Sequence, residues 1–212
     1  MESLRIAELL RPFTGKGELS GELQGQLQVY LDLLLKWNAR MNLTAVRDAE
    51  QIVTRHFGES LFGAGVLLGD LENLQAPFAV ADVGSGAGFP GIPMKLWSPR
   101  IQLTLIESQN KKVTFLREVI RTLKLEAAEV FCGRADEWGK AADLVTLRAV
   151  EKFERVLPVA AGLVAPEGRL GLFLGEKQRS RAQEIVDDSF TWRDPVAIPQ
   201  SDGRVIAVAA RR

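Results

Sequence analysis

Residues 78 to 91 combine a short apolar run with closely spaced glycines in the sequence FAVADVGSGAGFPG. The run from Phe78 to Val83 has the length of one buried strand. Gly84, Gly86 and Gly88 follow at every second position, and glycine lets the backbone turn tightly with no Cβ to block a bound molecule. The segment therefore predicts a buried strand that leads into a ligand-binding turn, an arrangement typical of α/β sheets.

The glycines fit two cofactor patterns. Read from Asp82, the segment follows the D-x-G-x-G-x-G turn that holds the methionine part of S-adenosylmethionine. Read from Gly86, it follows the G-x-G-x-x-G dinucleotide pattern, with Glu107 at about the right distance to accept from a ribose hydroxyl. The turn alone leaves both cofactor classes open.

Size and composition limit the fold to one sizeable core with a small appended subdomain. The chain has 212 residues, of which 46% are hydrophobic and 25% charged. The single cysteine, Cys132, follows an apolar run and is expected to be a buried thiol at a strand end, and no disulfide or cysteine-based metal site is expected. No signal peptide and no apolar run of the ~20 residues needed to span a membrane is visible, so we expect a cytoplasmic location.

Residues 1–70 have helical periodicity and are predicted to form an N-terminal helical subdomain. A first short helix is expected to break through Pro12–Gly17. Ser20 is a good N-cap for a second helix, whose apolar stripe is followed by a break from Asn38 onwards. Asp48 and Gln51 resemble a capping box at the start of a third helix. Residues 69–77 are expected to form a loop.

From residue 71 to residue 212 the pattern changes to alternating strands and helices. Predicted strands lie at Phe78–Val83, Gln102–Ile106, Ala127–Phe131, Leu144–Leu147, Leu170–Leu174, Thr191–Ile198 and Arg204–Ala209, and the last two form a hairpin. Predicted helices lie at Ile92–Trp97, Lys111–Leu123 and Phe153–Leu163. The predicted fold class is α/β: a Rossmann-like, class I methyltransferase domain, with a mostly parallel seven-stranded sheet that ends in an antiparallel hairpin. A dinucleotide dehydrogenase would more often have a separate substrate domain, for which there is no room, so the pattern favours S-adenosylmethionine.

Ligands of open parallel sheets bind beyond the carboxyl ends of the strands. Glu107, at the end of the second strand, is placed to accept hydrogen bonds from both ribose hydroxyls. Asp136 and the backbone of Ala135, after the third strand, are placed to meet the adenine ring, and Arg148 follows the fourth. The alternative for each acid is that it caps the next helix.

The net charge is zero, but three segments are locally basic: 36–55, 100–124 and 177–181. In the second segment, Lys111 and Lys112 begin a predicted helix, where cations are slightly unfavourable for the helix itself. They are candidates for binding phosphates, which would be those of RNA if the substrate is RNA, and a solvated helix face is the alternative.

Four blocks in order and at the expected spacing resemble the RsmG family, also called GidB. They are WNARMNLTAVRDAEQIVTRHFGESL, VADVGSGAGFPGIPMKL, TLIESQNKKVTFLREV, and the pair GRADEW and LRAV, between about Trp37 and Val150. The family contains bacterial S-adenosylmethionine-dependent methyltransferases that act on guanine N7 of 16S ribosomal RNA. The resemblance implies this activity, at position 527 of the standard rRNA numbering, with 16S rRNA, the small ribosomal subunit or its assembly intermediate as partner.

The resemblance also implies that Gly84, Phe89, Ala135, Asp136 and Arg148 line the cofactor site. Phe89 stands where the family usually has leucine. Two further departures concern HFGES at residues 56–60, where the family usually has H-I-L-D-S, and LGEK at residues 174–177, where it usually has a K-G pair.

Guanine N7 has a lone pair and no proton, so the chemistry calls for geometry and desolvation rather than a general base. We therefore assign no catalytic residue. Asn42, Thr44, His56 and Arg148 are candidate substrate contacts. A monomer is expected, because no coiled-coil seam is visible.

Two alternative functions remain open from the residues alone: a dinucleotide-dependent oxidoreductase, and a ribosome-associated RNA-binding protein without turnover. The presence of Asp82, Glu107 and Asp136 together argues against the second.

Overall fold

The structure, a computed structural model, describes residues 1–15, 19–69, 77–186 and 188–212. Within these ranges, helices α1 to α8 span Ser3–Thr14, Gly21–Met41, Ala49–Ile52, Glu59–Leu68, Gly91–Trp97, Asn110–Leu123, Phe153–Gly162 and Glu176–Ile185. Strands β1 to β8 span Phe78–Val83, Ile101–Glu107, Ala128–Cys132, Ala142–Arg148, Val164–Gly175, Phe190–Trp192, Val196–Ala197 and Arg204–Arg211. A π-helical turn, Val53–Gly58, joins α3 to α4, and a 3₁₀ turn, Ala135–Glu137, follows β3.

The strands form one sheet in the order β3-β2-β1-β4-β5-β8-β6, with β7 also paired to β8. Strands β1 to β5 run parallel to one another, and β8 is antiparallel to β5. The chain order reverses between β1, which pairs with β2 on one side, and β4 on the other. Ligands bind at such a switch point in open α/β sheets. The predicted fold class is confirmed.

The predicted single strand at residues 191–198 is divided into two pieces. Trp192 of β6 lies opposite Ala209, and Val196 of β7 lies opposite Ile206, so both pieces pair with β8. Pro195 lies between them and has no backbone N–H to donate to a partner strand. The predicted hairpin is therefore present, but the described residues contain eight strands rather than seven.

Helices cover both faces of the sheet. Side chains from α1, α2 and α4 share one hydrophobic cluster with α5 and α6, as Leu27, Leu61 and Phe115 illustrate. Residues of α7 and α8, such as Leu157 and Ala182, pack on the other face. The N-terminal helices thus pack directly on the sheet. The division into domains at residue 70 stays a prediction, because residues 70–76 of the predicted loop lie outside the described residues.

The caps of the N-terminal helices form as predicted, but two helix ends differ. Leu23 N donates to Ser20 Oγ at 3.2 Å, and Gln51 N donates to Asp48 Oδ1 at 2.9 Å. Helix α1 continues through Pro12 to Thr14, because its apolar face extends to the buried Phe13. Helix α2 likewise continues past Asn38 to Met41.

Cys132 is exposed, so the prediction of a buried thiol was wrong. The reason is sheet order: β3 is an edge strand, and its last residue is not covered by a neighbouring strand on the outer side. Cys132 Sγ lies 3.1 Å from Asn110 Oδ1.

Helix α8 had no counterpart in the predictions. No helix in the described part of the chain is long and apolar enough to cross a membrane.

Candidate active site

A cleft of about 1030 Å³ opens at the carboxyl ends of β1, β2 and β4. It brings together most of the residues singled out in the sequence: Asn42, Thr44, His56, Gly84, Gly86, Phe89, Glu107, Lys112, Ala135, Asp136 and Arg148. The N-terminal segments and the sheet therefore contribute to one site.

The glycine turn lies between β1 and α5, and its conformation explains its composition. Gly84, Gly86 and Gly88 have φ angles of 70°, 57° and 94°, in the left-handed region that favours glycine. A Cβ on Gly88 would also lie 2.5 Å from Ile92 Cδ1. The three glycines of the pattern read from Asp82 thus share positive φ, whereas Gly91 is required by packing, because a Cβ there would lie 2.7 Å from Leu105 Cδ2.

Asp82 supports the turn from below and does not line the cleft. Its side chain is fully buried, Thr146 Oγ1 donates to Oδ1 at 2.9 Å, and Gly91 N donates to Oδ2 at 3.2 Å. Burial raises its pKa to about 6, although these hydrogen bonds oppose the shift. Gly88 is likewise absent from the cleft wall. The structure therefore gives both residues the position of a scaffold for the turn.

Glu107 lies at the tip of β2 and is buried at the cleft wall. Its Oε2 accepts from Gly86 N at 3.0 Å, and its Oε1 accepts from Gln109 N at 2.9 Å. A carboxylate oxygen can accept more than one hydrogen bond, so each oxygen keeps capacity for a ligand hydroxyl. Glu107 both fixes the turn and presents acceptors to the cleft.

Ala135 and Asp136 form part of the rim, in the 3₁₀ turn after β3. The Asp136 side chain is half exposed, and its Oδ1 lies 3.0 Å from Arg134 Nε. This guanidinium holds the pKa of Asp136 below its usual value. An ionised acceptor therefore stands at the rim, at the position predicted to face adenine.

Arg148 ends β4, and its buried side chain forms part of the cleft wall beside His56. Its Nη2 donates to the backbone oxygen of Arg55 at 2.6 Å and to Glu59 Oε2 at 3.0 Å. The other carboxylate oxygen of Glu59 lies 2.5 Å from Arg204 Nη1, at the start of β8. Burial raises the pKa of Glu59, while the two arginines oppose that shift. Two cations thus hold one buried carboxylate between the N-terminal helices and the sheet.

His56 lies in the π-helical turn and has both ring nitrogens occupied. Nδ1 lies 3.1 Å from Arg148 Nη2, and Nε2 lies 2.8 Å from Thr44 Oγ1. The ring stacks on Phe89, with centroids 4.9 Å apart. Burial first, and then the positive charge of Arg148, lowers the pKa of His56 to about 3. The imidazole is therefore neutral at physiological pH.

The loop that carries Asn42 and Thr44 is held by Asn38. Thr44 N donates to Asn38 Oδ1 at 2.9 Å, and Asn38 Nδ2 donates to the oxygen of Val46 at 3.3 Å. Asn42 ends α2 in the left-handed conformation and accepts from Arg47 at 2.6 Å. Asn38 was missed in the sequence, where it lay in the segment taken as a helix break.

The two lysines of α6 lie differently. Lys112 is part of the cleft wall, whereas Lys111 is exposed and is not part of it. Other cations on the wall come from outside the predicted basic helix, among them Arg134, Lys152 and Arg155.

Three important residues were given no role from the sequence: Glu59, Arg204 and Tyr30. Glu59 is noted there only as part of the HFGES departure, although an acid at the start of the apolar helix α4 is a signal in itself. Arg204 lies opposite Gly175, within the LGEK segment, in the register of β5 and β8. It brings a positive charge to this edge of the cleft. Tyr30, the only tyrosine, is buried in α2, and its regular spacing in an apolar stripe predicts no more than a packing role.

The departure at Gly58 has a steric explanation. A Cβ on Gly58 would lie 2.6 Å from Phe13 Cδ2, so the aromatic ring of α1 fills the space beside it.

The switch-point cleft, the glycine turn and the antiparallel β8 together define a class I S-adenosylmethionine-dependent methyltransferase. The fold is similar to that of a ribosomal protein L11 methylase from Lactobacillus delbrueckii subsp. bulgaricus, with a TM-score of 0.59, 14% identity, and coverage of 73% of this chain and 79% of that one. The family model of rRNA small subunit methyltransferase G, GidB, matches residues 23–194, and the chain belongs to this family.

Curated relatives agree with this assignment. The chain is 33% identical over 195 residues to the ribosomal RNA small subunit methyltransferase G of Streptococcus agalactiae serotype V, covering 86% of this chain and 81% of the relative. It is 36% identical over 189 residues to the protein of the same name from Xanthomonas axonopodis pv. citri, covering 86% and 84%. Membership of this methyltransferase family excludes the alternative of a dinucleotide-dependent oxidoreductase.

Proposed function

We propose that the chain transfers a methyl group from S-adenosylmethionine to N7 of a guanine in 16S rRNA. The observation that carries the proposal is that one cleft joins the glycine turn to the cluster of Phe89, His56, Arg148 and Thr44. The turn expected to hold the cofactor and a cluster of aromatic and polar side chains thus meet in one cleft.

The residues on the cofactor side fit S-adenosylmethionine. Gly84 and Gly86 give it close access to the backbone, Glu107 would accept from its ribose hydroxyls, and Ala135 with Asp136 would meet its adenine ring. When bound, this cofactor supplies an electrophilic methyl group on a positively charged sulfur. The predicted contact of Arg148 with the cofactor belongs to the same proposal.

The residues on the substrate side fit a reaction that needs no base. S-adenosylmethionine would supply the methyl group, and guanine N7 would take it with its own lone pair, so no proton would have to leave. His56 has no free lone pair in the observed geometry and a pKa of about 3, so it orients groups around it rather than removing a proton.

The charge of the cleft supports a polyanionic substrate. Arg55, Lys112, Lys152 and Arg155 all line it, together with Arg134, which is paired with Asp136. Basic side chains outnumber acidic ones on the cleft wall, and such cations bind phosphates with little regard to sequence. Lys111, beside the cleft, would extend the same phosphate-binding surface. We propose that the substrate is the small ribosomal subunit or its assembly intermediate, and that the protein acts as a monomer in the cytoplasm.

The test of the function is to map 7-methylguanine in 16S rRNA from cells with and without this protein. The proposal expects one modified guanine to be lost in its absence. An unchanged map, or a cofactor site that binds S-adenosylhomocysteine while no RNA is methylated, would instead favour an RNA-binding protein without turnover.

The test of the cofactor side is Asp136→Ala, compared with Asp194→Ala, which removes an exposed acid from the C-terminal segment. The first should weaken S-adenosylmethionine binding in calorimetry and leave the fold intact. Equal affinity in the two variants would remove Asp136 from the site.

The test of the RNA side is Lys111→Glu with Lys112→Glu. Its control, Arg117→Glu with Lys124→Glu, makes the same charge change on exposed residues, one further along α6 and one at its C-cap. The first pair should impair methylation more than the second, with unchanged cofactor affinity. Equal losses would show that overall charge matters and that the position beside the cleft does not.

A further inference from the structure

The tautomer of His56 follows from its two neighbours, Arg148 and Thr44. Arg148 Nη2 lies 3.1 Å from His56 Nδ1, and its two protons are shared among this nitrogen, the backbone oxygen of Arg55 and Glu59 Oε2. A guanidinium can only donate, so a proton on Nδ1 would set donor against donor, and the compatible arrangement has a lone pair there. The neutral ring then carries its proton on Nε2, which donates to Thr44 Oγ1 at 2.8 Å. Arg148 thus selects the histidine tautomer.

The hydroxyl of Thr44 is left as a donor only. Besides the bond from His56, Oγ1 accepts from Val46 N at 3.2 Å, so both of its lone pairs are occupied. Within the described part of the chain, the hydroxyl has no acceptor for its own proton. Thr44 lines the cleft, and its partner His56 stacks on Phe89 at the end of the glycine turn. A hydroxyl that can donate therefore lies on the cleft wall, where a substrate would bind.

A hydroxyl that can only donate distinguishes the purines. On the edge that carries N7, guanine presents the acceptor O6, whereas adenine presents an amino group that donates. A donor at this position would pair with guanine and would oppose adenine, and N7 would remain free.

We propose that Thr44 is the residue that selects the target base: its hydroxyl donates to guanine O6, and Arg148 and His56 are positioning residues that hold the hydroxyl in this role. The inference rests on the proposed function, because it assumes that a purine is methylated at N7 in this cleft.

The experiment uses small subunits reconstituted with 16S rRNA that carries either guanine or 2-aminopurine at the target position. The second base keeps N7 and lacks O6. The enzymes are wild type, Thr44→Val, which keeps the shape and removes the hydroxyl, and Thr44→Ser, which keeps the hydroxyl. Cofactor affinity, measured by calorimetry, shows that each variant is folded.

On guanine, Thr44→Val should lose about tenfold or more in kcat/KM, and Thr44→Ser should retain most of it. On 2-aminopurine, wild type and Thr44→Val should be equally slow, because no O6 is present. An equal loss on both bases, or no loss on guanine, would overturn the proposal.

If a variant does not fold, the comparison of the two bases with the wild-type enzyme still tests the proposal. Wild type itself should prefer guanine to 2-aminopurine by about tenfold or more, and equal rates would overturn the role of Thr44. Absence of turnover by wild type on guanine would instead contradict the proposed function.

Discussion

The hydroxyl of Tyr30, in the middle of α2, donates to the backbone oxygen of Ala87 in the glycine turn, 57 residues further along the chain. The Tyr30 ring stacks on Phe57 and on Phe89, with centroids 5.2 Å and 5.5 Å away. The N-terminal helices therefore support the cofactor turn directly, and stability and cofactor binding should be coupled.

Tyr30→Phe tests this coupling. It keeps the ring but leaves the buried Ala87 oxygen without its donor, which should cost about 1–3 kcal/mol of unfolding free energy. Cofactor affinity should fall with it. Urea unfolding and calorimetry would measure the two effects. As a control, Val186→Ala removes buried volume on the other face of the sheet and should lower stability alone. Unchanged cofactor affinity in Tyr30→Phe would mean that the contact only stabilises the fold.

Gly88→Ala should be far more damaging than Gly139→Ala. Both glycines have positive φ, 94° and 66°, so alanine is strained at each. A Cβ at Gly88 would also lie 2.5 Å from Ile92 Cδ1 and 2.6 Å from the Tyr30 hydroxyl, whereas nothing lies within 4 Å at Gly139. We expect a cost of about 1 kcal/mol at Gly139 and an additional ~1–3 kcal/mol at Gly88. Equal melting temperatures would contradict the close packing around Gly88.

The effect of Gly58→Ala on the free energy of unfolding should change sign when Phe13 is replaced by alanine. In wild type, Gly58→Ala places a Cβ 2.6 Å from the Phe13 ring and should destabilise the protein by about 1–3 kcal/mol. In a Phe13→Ala background the space is free, and the same change should stabilise the helical segment by about 0.5–1 kcal/mol. Denaturant unfolding of the four proteins gives both values. Additive effects would show that the two residues do not compete for space.

Arg148→Met should raise the pKa of His56. Arg148 lowers this pKa second only to burial, so its removal should move the value upwards from about 3 towards 6.5. The chain has one histidine, so its imidazole signals can be followed by NMR titration without assignment. Arg134→Met, at the exposed rim, provides the matched control and should leave the value unchanged. Coincident titration curves for wild type and Arg148→Met would disprove the contact.

His56 should make stability fall in acid. Its folded pKa of about 3 lies below the unfolded value of 6.5, so the unfolded chain binds the proton first as the pH falls. Relative to His56→Gln, wild type should lose up to about 1.4 kcal/mol per pH unit between these values. The pKa of Asp82 is raised to about 6, so its contribution makes the protein more stable as the pH falls from 6 to 3.8. This contribution is the same in both proteins and cancels in the comparison. Parallel stability profiles by urea unfolding would contradict a buried neutral His56.

The sequence predicted correctly the features that depend on neighbouring residues alone, such as strand bounds and helix caps. The strand from Phe78 to Val83 has the predicted bounds, and the caps at Ser20 and Asp48 form as expected. The tips of β1, β2 and β4 meet at the cleft because the topology brings the carboxyl ends of parallel strands to one edge.

Contacts between distant segments could not be read in this way. Nothing near Glu59 in the sequence indicates that Arg148 and Arg204 lie on either side of it. The burial of Asp82 under the turn and the exposure of Cys132 likewise depend on layer and strand order, which periodicity does not report.

Strand β8 lies between β5 and the β6–β7 edge, yet it follows all of them in the chain. During synthesis, the glycine turn and the loop with Thr44 leave the ribosome well before Arg204 can reach Glu59. A growing chain therefore exposes the open edge of β5 until its final strand arrives. The enzyme should acquire its complete cleft in one late step of its own biogenesis.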